Sequence, residues 1–118
     1  MQLLTEPLRR QLLKNGRVQD DVRGTPEERD FEPVVKLFTP DSGANWLLTE
    51  LDPDEPDIAF GLCDLGMGCP ELGSVRISEL ETVRGPLGMS IERDLHFVPD
   101  KPLSAYAREA SQAGRIVA

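Results

Sequence analysis

The stretch of sequence that decides the fold covers residues 33–65 and reads PVVKLFTPDSGANWLLTELDPDEPDIAFGLCDL. It contains three runs of mostly aliphatic, aromatic and β-branched residues, PVVKLFT, NWLLTEL and DIAFGLCDL, which are typical of β-strands. Two short segments rich in Pro, Asp, Ser and Gly separate the runs, and those residue types favour turns. We therefore predict that the three strands pair in chain order as an antiparallel meander.

The third run predicts two unlike faces of the sheet, because successive side chains of a strand point to opposite sides. Its large side chains share one face and its small side chains share the other, in the two sets Ile58, Phe60, Leu62 and Ala59, Gly61, Cys63. A helix can approach small side chains closely. We therefore expect the terminal helices to cover the face with the small side chains.

The residues that follow add strands and helices to this meander. ELGSVRI (71–77) predicts a fourth strand, and MSIERDLHF (89–97) predicts a fifth. Between them, Ser78 and Glu81 have the spacing of a capping box that begins a short middle helix. After Pro102, a stripe of Leu, Tyr and Ala at helical spacing predicts a C-terminal helix.

The residues that precede the meander predict one helix and one connector. Thr5 is a suitable N-cap for a helix that ends at Asn15-Gly16, since Asn and Gly often terminate helices. Residues 17–32 contain nine charged side chains and few large apolar ones, so we predict a mobile connector there. The sequence thus predicts a single α+β domain over residues 1–118, with a sheet of four to five antiparallel strands and three helices.

The acidic side chains are concentrated in the middle of the chain. Residues 41–81 carry ten acidic residues and a single basic one, Arg76, whereas the two flanking parts are nearly balanced. A negative field of this kind repels nucleic-acid phosphates, so we expect no direct nucleic-acid binding. The longest apolar run, residues 58–63, is far shorter than the roughly 18 residues of a membrane span. With two cysteines and no basic-apolar leader, the sequence predicts a cytoplasmic protein.

Five of these acidic residues are candidates for binding a partner. They cluster between the second and third predicted strands, and they are Glu50, Asp52, Asp54, Glu55 and Asp57. An EF-hand loop that began at Asp52 would need Gly and Glu where Asp57 and Cys63 stand, so we predict no metal site and no cofactor. The cluster favours a basic protein partner, and the sequence leaves the oligomeric state open.

A catalytic alternative depends on the one histidine of the chain, His96. A small enzyme that acts on a small molecule would need His96 together with Asp64 and Cys63 as its reactive groups. No recognised motif surrounds these residues, so we predict no catalytic site. The enzyme stays the second hypothesis.

Several short sequence segments resemble those of a family that is catalogued as a domain of unknown function in proteobacteria. The most specific are TELDPDEPD (49–57), GLCDLGMG (61–68), PELG (70–73) and ERDLHF (92–97). The similarity extends from residue 4 to Tyr106, which is most of the chain. It implies a gene setting near plasmids and integrative elements, and it implies no catalytic or ligand-binding residue.

These observations favour a non-catalytic acidic interaction module of a mobile genetic element. One form of this hypothesis is a DNA mimic, because carboxylates on one strand face recur about every 6.6 Å and approximate a row of phosphates. A third hypothesis is a regulator whose acidity only confers solubility.

Overall fold

A five-stranded antiparallel sheet forms the centre of the structure, a computed structural model that describes residues 3–118. The strands are β1 (Val35–Phe38), β2 (Asn45–Leu51), β3 (Ile58–Asp64), β4 (Glu71–Arg76) and β5 (Glu92–Arg93). The helices are α1 (Glu6–Val22), α2 (Ile77–Leu80) and α3 (Leu103–Ala113). The predicted α+β class, with an N-terminal, a short middle and a C-terminal helix, is confirmed. No helix within residues 3–118 combines the length and the apolar character needed to cross a membrane.

The first four strands pair in chain order, as the meander prediction required, and the fifth does not. The sheet order is β4-β3-β2-β1-β5, so β5 pairs with β1 instead of β4. The carboxylate of Asp41, in the turn between β1 and β2, accepts hydrogen bonds from the backbone N–H groups of Leu87 (2.7 Å) and Met89 (3.3 Å). This contact holds the chain beside β1 just before β5 begins.

Helix α1 begins as predicted and continues past its predicted end. The Thr5 hydroxyl accepts the N–H of Leu8, as an N-cap does. The predicted end at Asn15-Gly16 is wrong, because the helix continues to Val22. Both residues contact β2 instead of ending the helix. A Cβ on Gly16 would lie 1.8 Å from the carbonyl oxygen of Leu51, so glycine permits close packing here. The Asn15 amide donates to the carbonyl of Thr49 at 2.9 Å.

Helix α1 therefore includes the first part of the predicted connector. Residues 17–22 are helical, which corrects the boundary predicted for residues 17–32. Gln19 is buried and bonds to the backbone of Arg29 twice, donating to its carbonyl (2.8 Å) and accepting from its N–H (2.9 Å). The Gln19 side chain thus holds the segment around Arg29 against α1, although this segment has few apolar residues to bury. Mobility of the remaining residues stays a prediction.

The two terminal helices lie on opposite faces of the sheet. Leu12 of α1 shares a core with Ala59 and Cys63, which confirms that α1 covers the face with the small side chains. Helix α3 packs against Phe60 and Leu62 of the other face, so the prediction that both helices share one face is wrong for α3. The large side chains need cover from water, and the small residue Ala110 lets α3 approach them.

The capping-box prediction is also wrong. Helix α2 begins one residue before Ser78, with no side-chain cap at Arg76. The carboxylate of Asp57 instead accepts hydrogen bonds from the N–H (2.9 Å) and the hydroxyl (2.6 Å) of Ser78. Asp57 therefore ties the turn before β3 to the start of α2.

Candidate functional site

An acidic cleft of about 270 Å³ opens at the end of the sheet where β2 turns into β3. Its walls come from the end of α1, from the β2–β3 turn and from neighbouring residues of β3 and β4. The lining residues are Asp20, Arg23, Glu50, Asp52, Asp54, Ile58, Phe60 and Ser74. Within residues 3–118, Arg23 is the one basic side chain among them.

Three carboxyl groups converge at the mouth of the acidic cleft. Asp20, Asp52 and Asp54 each place one carboxylate oxygen within 4.8 Å of the others. The Asp52 oxygen Oδ1 also accepts the N–H groups of Asp54 (2.8 Å) and Glu55 (3.4 Å), which shapes the turn. The three groups are close enough to surround one cation, either a metal ion or the cationic group of a side chain.

Two residues of this site, Arg23 and Asp20, were not predicted, because both lie in the connector predicted over residues 17–32. Asp20 is one of the three converging carboxyl groups. It follows Gly16 by four residues, and residues four apart share one face of a helix. Gly16 touches Leu51 at the end of β2, so a continuous α1 necessarily brings Asp20 near the β2–β3 turn. Helical periodicity would have located Asp20 if the helix had been extended past Gly16.

Glu50 lies at the buried end of the cleft, where its side chain is 8% exposed. Burial raises the pKa of Glu50, and the nearby Arg23 guanidinium opposes that rise. The guanidinium lies 3.7 Å from Glu50 and 2.9 Å from Asp20. The protein itself therefore shows that a guanidinium group fits between these carboxylates.

We expect Glu50→Gln to stabilise the protein at neutral pH and to flatten the pH dependence of its stability. The raised pKa means that folded Glu50 retains a proton at pH values where the unfolded chain has lost it. Stability should therefore fall as pH rises through the interval between the two pKa values. Urea unfolding of both proteins across that interval measures this difference. Glu55→Gln, at a side chain that is 59% exposed, is the control, and equal slopes in wild type and Glu50→Gln would contradict the expectation.

The five predicted partner-binding residues divide into two groups. Glu50, Asp52 and Asp54 line the acidic cleft. Glu55 and Asp57 instead face Arg76, at 3.4 and 3.7 Å. Hydrogen bonds from Ser78, together with Arg76, lower the pKa of Asp57. Arg76 offsets one of the two charges of that second group, whereas the cleft has four carboxyl groups beside one guanidinium, so the larger excess of negative charge lies in the cleft.

The structure does not bring His96, Asp64 and Cys63 together. Asp64 is fully buried, and its two carboxylate oxygens accept the N–H groups of Gly66 (2.8 Å) and Ile116 (2.9 Å). Cys63 packs with the core beneath α1, where burial raises the pKa of its thiol, the opposite of what activates a nucleophile. His96 is exposed, and it follows β5, which β1 and β2 separate from β3.

A protein-family model described as "Protein of unknown function (DUF2958)" matches residues 3–117. No curated protein and no solved structure matches the chain. The family therefore supplies no residue roles.

Proposed function

This chain belongs to the DUF2958 family of proteins of unknown function, and we propose that it is a non-catalytic interaction module. In this proposal the acidic cleft receives a Lys or Arg side chain of a basic partner protein. The mobile-element setting implied by the sequence resemblance is part of the proposal, so the partner would be a basic protein of such an element.

The charge imbalance of the cleft is the observation that carries this proposal. Four carboxyl groups, those of Asp20, Glu50, Asp52 and Asp54, face the single guanidinium of Arg23. A cleft lined by one sign of charge concentrates the field and attracts a ligand of the opposite sign. Because Arg23 already lies between Asp20 and Glu50, a second guanidinium or an ammonium group is the ligand whose chemistry the site already accommodates.

The arrangement of the carboxyl groups favours a pocket for a basic side chain over a DNA mimic. Phosphate mimicry along a strand needs carboxylates in a row, spaced by about 6.6 Å. Here Asp20 comes from a helix, whereas Asp52 and Asp54 come from a turn, and their oxygens converge within 4.8 Å. The placements of Cys63, Asp64 and His96 favour binding over the enzyme hypothesis.

The test uses a short cationic probe, acetyl-Arg-Arg-Arg-Arg-amide, and two charge-matched variants. The triple change Asp20→Asn, Asp52→Asn, Asp54→Asn neutralises the mouth of the cleft. The control changes Glu27, Glu32 and Glu92 to Gln, which removes three exposed acidic groups elsewhere. Both variants have the same net charge, so any difference between them reports position.

We expect the cleft variant to bind the tetra-arginine probe about tenfold more weakly than wild type, because three exposed charge pairs contribute about 0.2–1 kcal/mol each. The affinity of the control variant for the probe should stay within about twofold of the wild-type affinity. The wild-type affinity should fall as salt is raised, because the Debye length is only about 8 Å at physiological ionic strength and salt screens exposed charges. Isothermal titration calorimetry at low and high salt measures both effects. Equal losses in the two variants would show that the acidity only confers solubility.

A further inference from the structure

Strand β4 leaves one edge of the sheet open. It is the first strand in the order β4-β3-β2-β1-β5, so within residues 3–118 it has a strand neighbour on one side only. Four of its six residues are exposed, including Leu72, which is 50% exposed. Natural sheets usually protect such an edge with Pro, Lys, a bulge or a covering element. The centre of β4 reads Leu-Gly-Ser-Val and has none of these residues.

The register shows which backbone groups of β4 point outward. The N–H of Ile77 donates to the carbonyl of Asp57 at 2.8 Å, just beyond the β3–β4 ladder. Hydrogen-bonded and non-hydrogen-bonded pairs alternate along antiparallel strands. Residues 71, 73 and 75 therefore bond to β3, and the N–H and C=O groups of Leu72, Ser74 and Arg76 point away from the sheet.

Two different grooves flank this open edge. The acidic cleft reaches it at Ser74. A second groove, of about 400 Å³, includes Val75, Leu80 and Val83 and is mainly apolar in character. Both grooves are also lined by Ile58 and Ser74, so they meet at β4.

We propose that the basic partner binds by adding an extended segment to the outer edge of β4 as a sixth strand. This inference rests on the proposed function, since it states how the cationic side chain enters the acidic cleft. Side chains alternate along an added strand, so every second one faces the carboxylates and the others face the apolar groove. The matching segment therefore alternates Lys or Arg with aliphatic residues.

Charge complementarity selects this partner over a second copy of the chain. Pairing of two β4 edges would bring both acidic clefts to one interface, and each contains four carboxyl groups with one guanidinium. Like charges at an interface oppose association. A basic strand neutralises the same groups.

The test uses two peptides of equal composition, acetyl-KVKVKVKV-amide and acetyl-KKKKVVVV-amide, and two variants of one residue. Leu72→Pro removes an outward N–H at a position where an edge strand tolerates proline, and Leu72→Ala keeps that N–H. Leu72 does not line the acidic cleft. We expect wild type to prefer the alternating peptide, and we expect Leu72→Pro to bind it about two- to tenfold more weakly than Leu72→Ala does, since one main-chain hydrogen bond is lost.

Peptides with N-methyl groups test the same inference without changing the protein. One peptide carries N-methyl groups on every Lys and the other on every Val. Because the N–H groups of alternate residues point to the same edge of a strand, each peptide lacks the N–H donors along one of its two edges. The peptide whose methylated edge faces β4 should lose binding to the wild-type protein, and the other peptide should keep it. Equal binding of both methylated peptides, or of the alternating and block peptides, would overturn strand addition.

The two proposals fail in different ways. If the tetra-arginine probe binds Leu72→Pro as it binds wild type while the alternating peptide discriminates as expected, both stand. If that probe distinguishes the cleft variant from its control but strand addition fails, the proposed function stands alone. A change in the sedimentation coefficient of the free protein on Leu72→Pro would identify a second copy as the occupant and would overturn this inference.

Discussion

Gly16→Ala is expected to lower the free energy of unfolding by about 3 kcal/mol, the upper part of the range for overpacking. In an exposed helix the same change stabilises by about 1 kcal/mol, because Ala has the higher helix propensity. Here the added Cβ would lie 1.8 Å from the carbonyl oxygen of Leu51, a backbone atom that cannot move aside without shifting β2. The expected sign is therefore opposite to that of helix propensity. Urea unfolding followed by circular dichroism measures it.

Two alanine variants serve as controls for Gly16→Ala. Arg17→Ala lies next to it on an exposed position of α1. Gly73→Ala places a Cβ where no atom lies within 4 Å. Arg17→Ala should change the free energy of unfolding by less than about 0.5 kcal/mol. Gly73→Ala should raise it by about 0.5–1 kcal/mol, because Gly is less favourable than Ala in the middle of a strand. A Gly16→Ala protein more stable than wild type would contradict the close contact between α1 and β2.

Asp64→Asn is expected to lower the free energy of unfolding by about 2–4 kcal/mol, although it preserves the shape of the side chain. Each carboxylate oxygen of Asp64 accepts one backbone N–H, from Gly66 and from Ile116. Asn offers one oxygen and one NH₂ group, so at one of the two contacts the NH₂ donor would face the backbone N–H donor of Gly66 or Ile116. An unsatisfied buried polar group costs about 1–3 kcal/mol, and more where a charged group is lost. Urea unfolding measures the loss.

Asp52→Asn is the matched control for Asp64→Asn. Asp52 also accepts two backbone N–H groups, but both bond to the same oxygen, Oδ1, and the residue is exposed. An Asn side chain keeps that oxygen, so the change should cost less than about 0.5 kcal/mol. Equal stability of Asp64→Asn and wild type would contradict the structural role of Asp64 and would return that residue to the enzyme hypothesis.

Local patterns in the sequence determined the secondary structure of the central region. The alternation within residues 33–65 and the short turns between its runs were sufficient for β1, β2 and β3 and for their pairing. Thr5 was sufficient for the start of α1, because an N-cap bonds to a residue three positions away. Each of these features depends on neighbours in the chain, so the sequence displays it directly.

The acidic cleft was predictable only in part. The sequence located Asp52 and Asp54, since their density around one turn is visible without a structure. It named Glu50 as a partner-binding candidate but did not show that the fold buries this residue beside Arg23. It placed Asp20 in the connector, and the cleft needs Asp20 at its mouth.

The sequence by itself determined the α+β class, the β1–β4 meander and the acidity of the middle region. Tertiary structure decided how far α1 extends, which face α3 covers, where β5 joins and which carboxyl groups meet. The physical reason is visible at Gly16: a glycine after Asn resembles a helix end locally, but the contact with Leu51, 35 positions away in sequence, makes it a packing site inside a longer helix. Contacts between distant residues have no counterpart in a local pattern, so only the folded chain shows them.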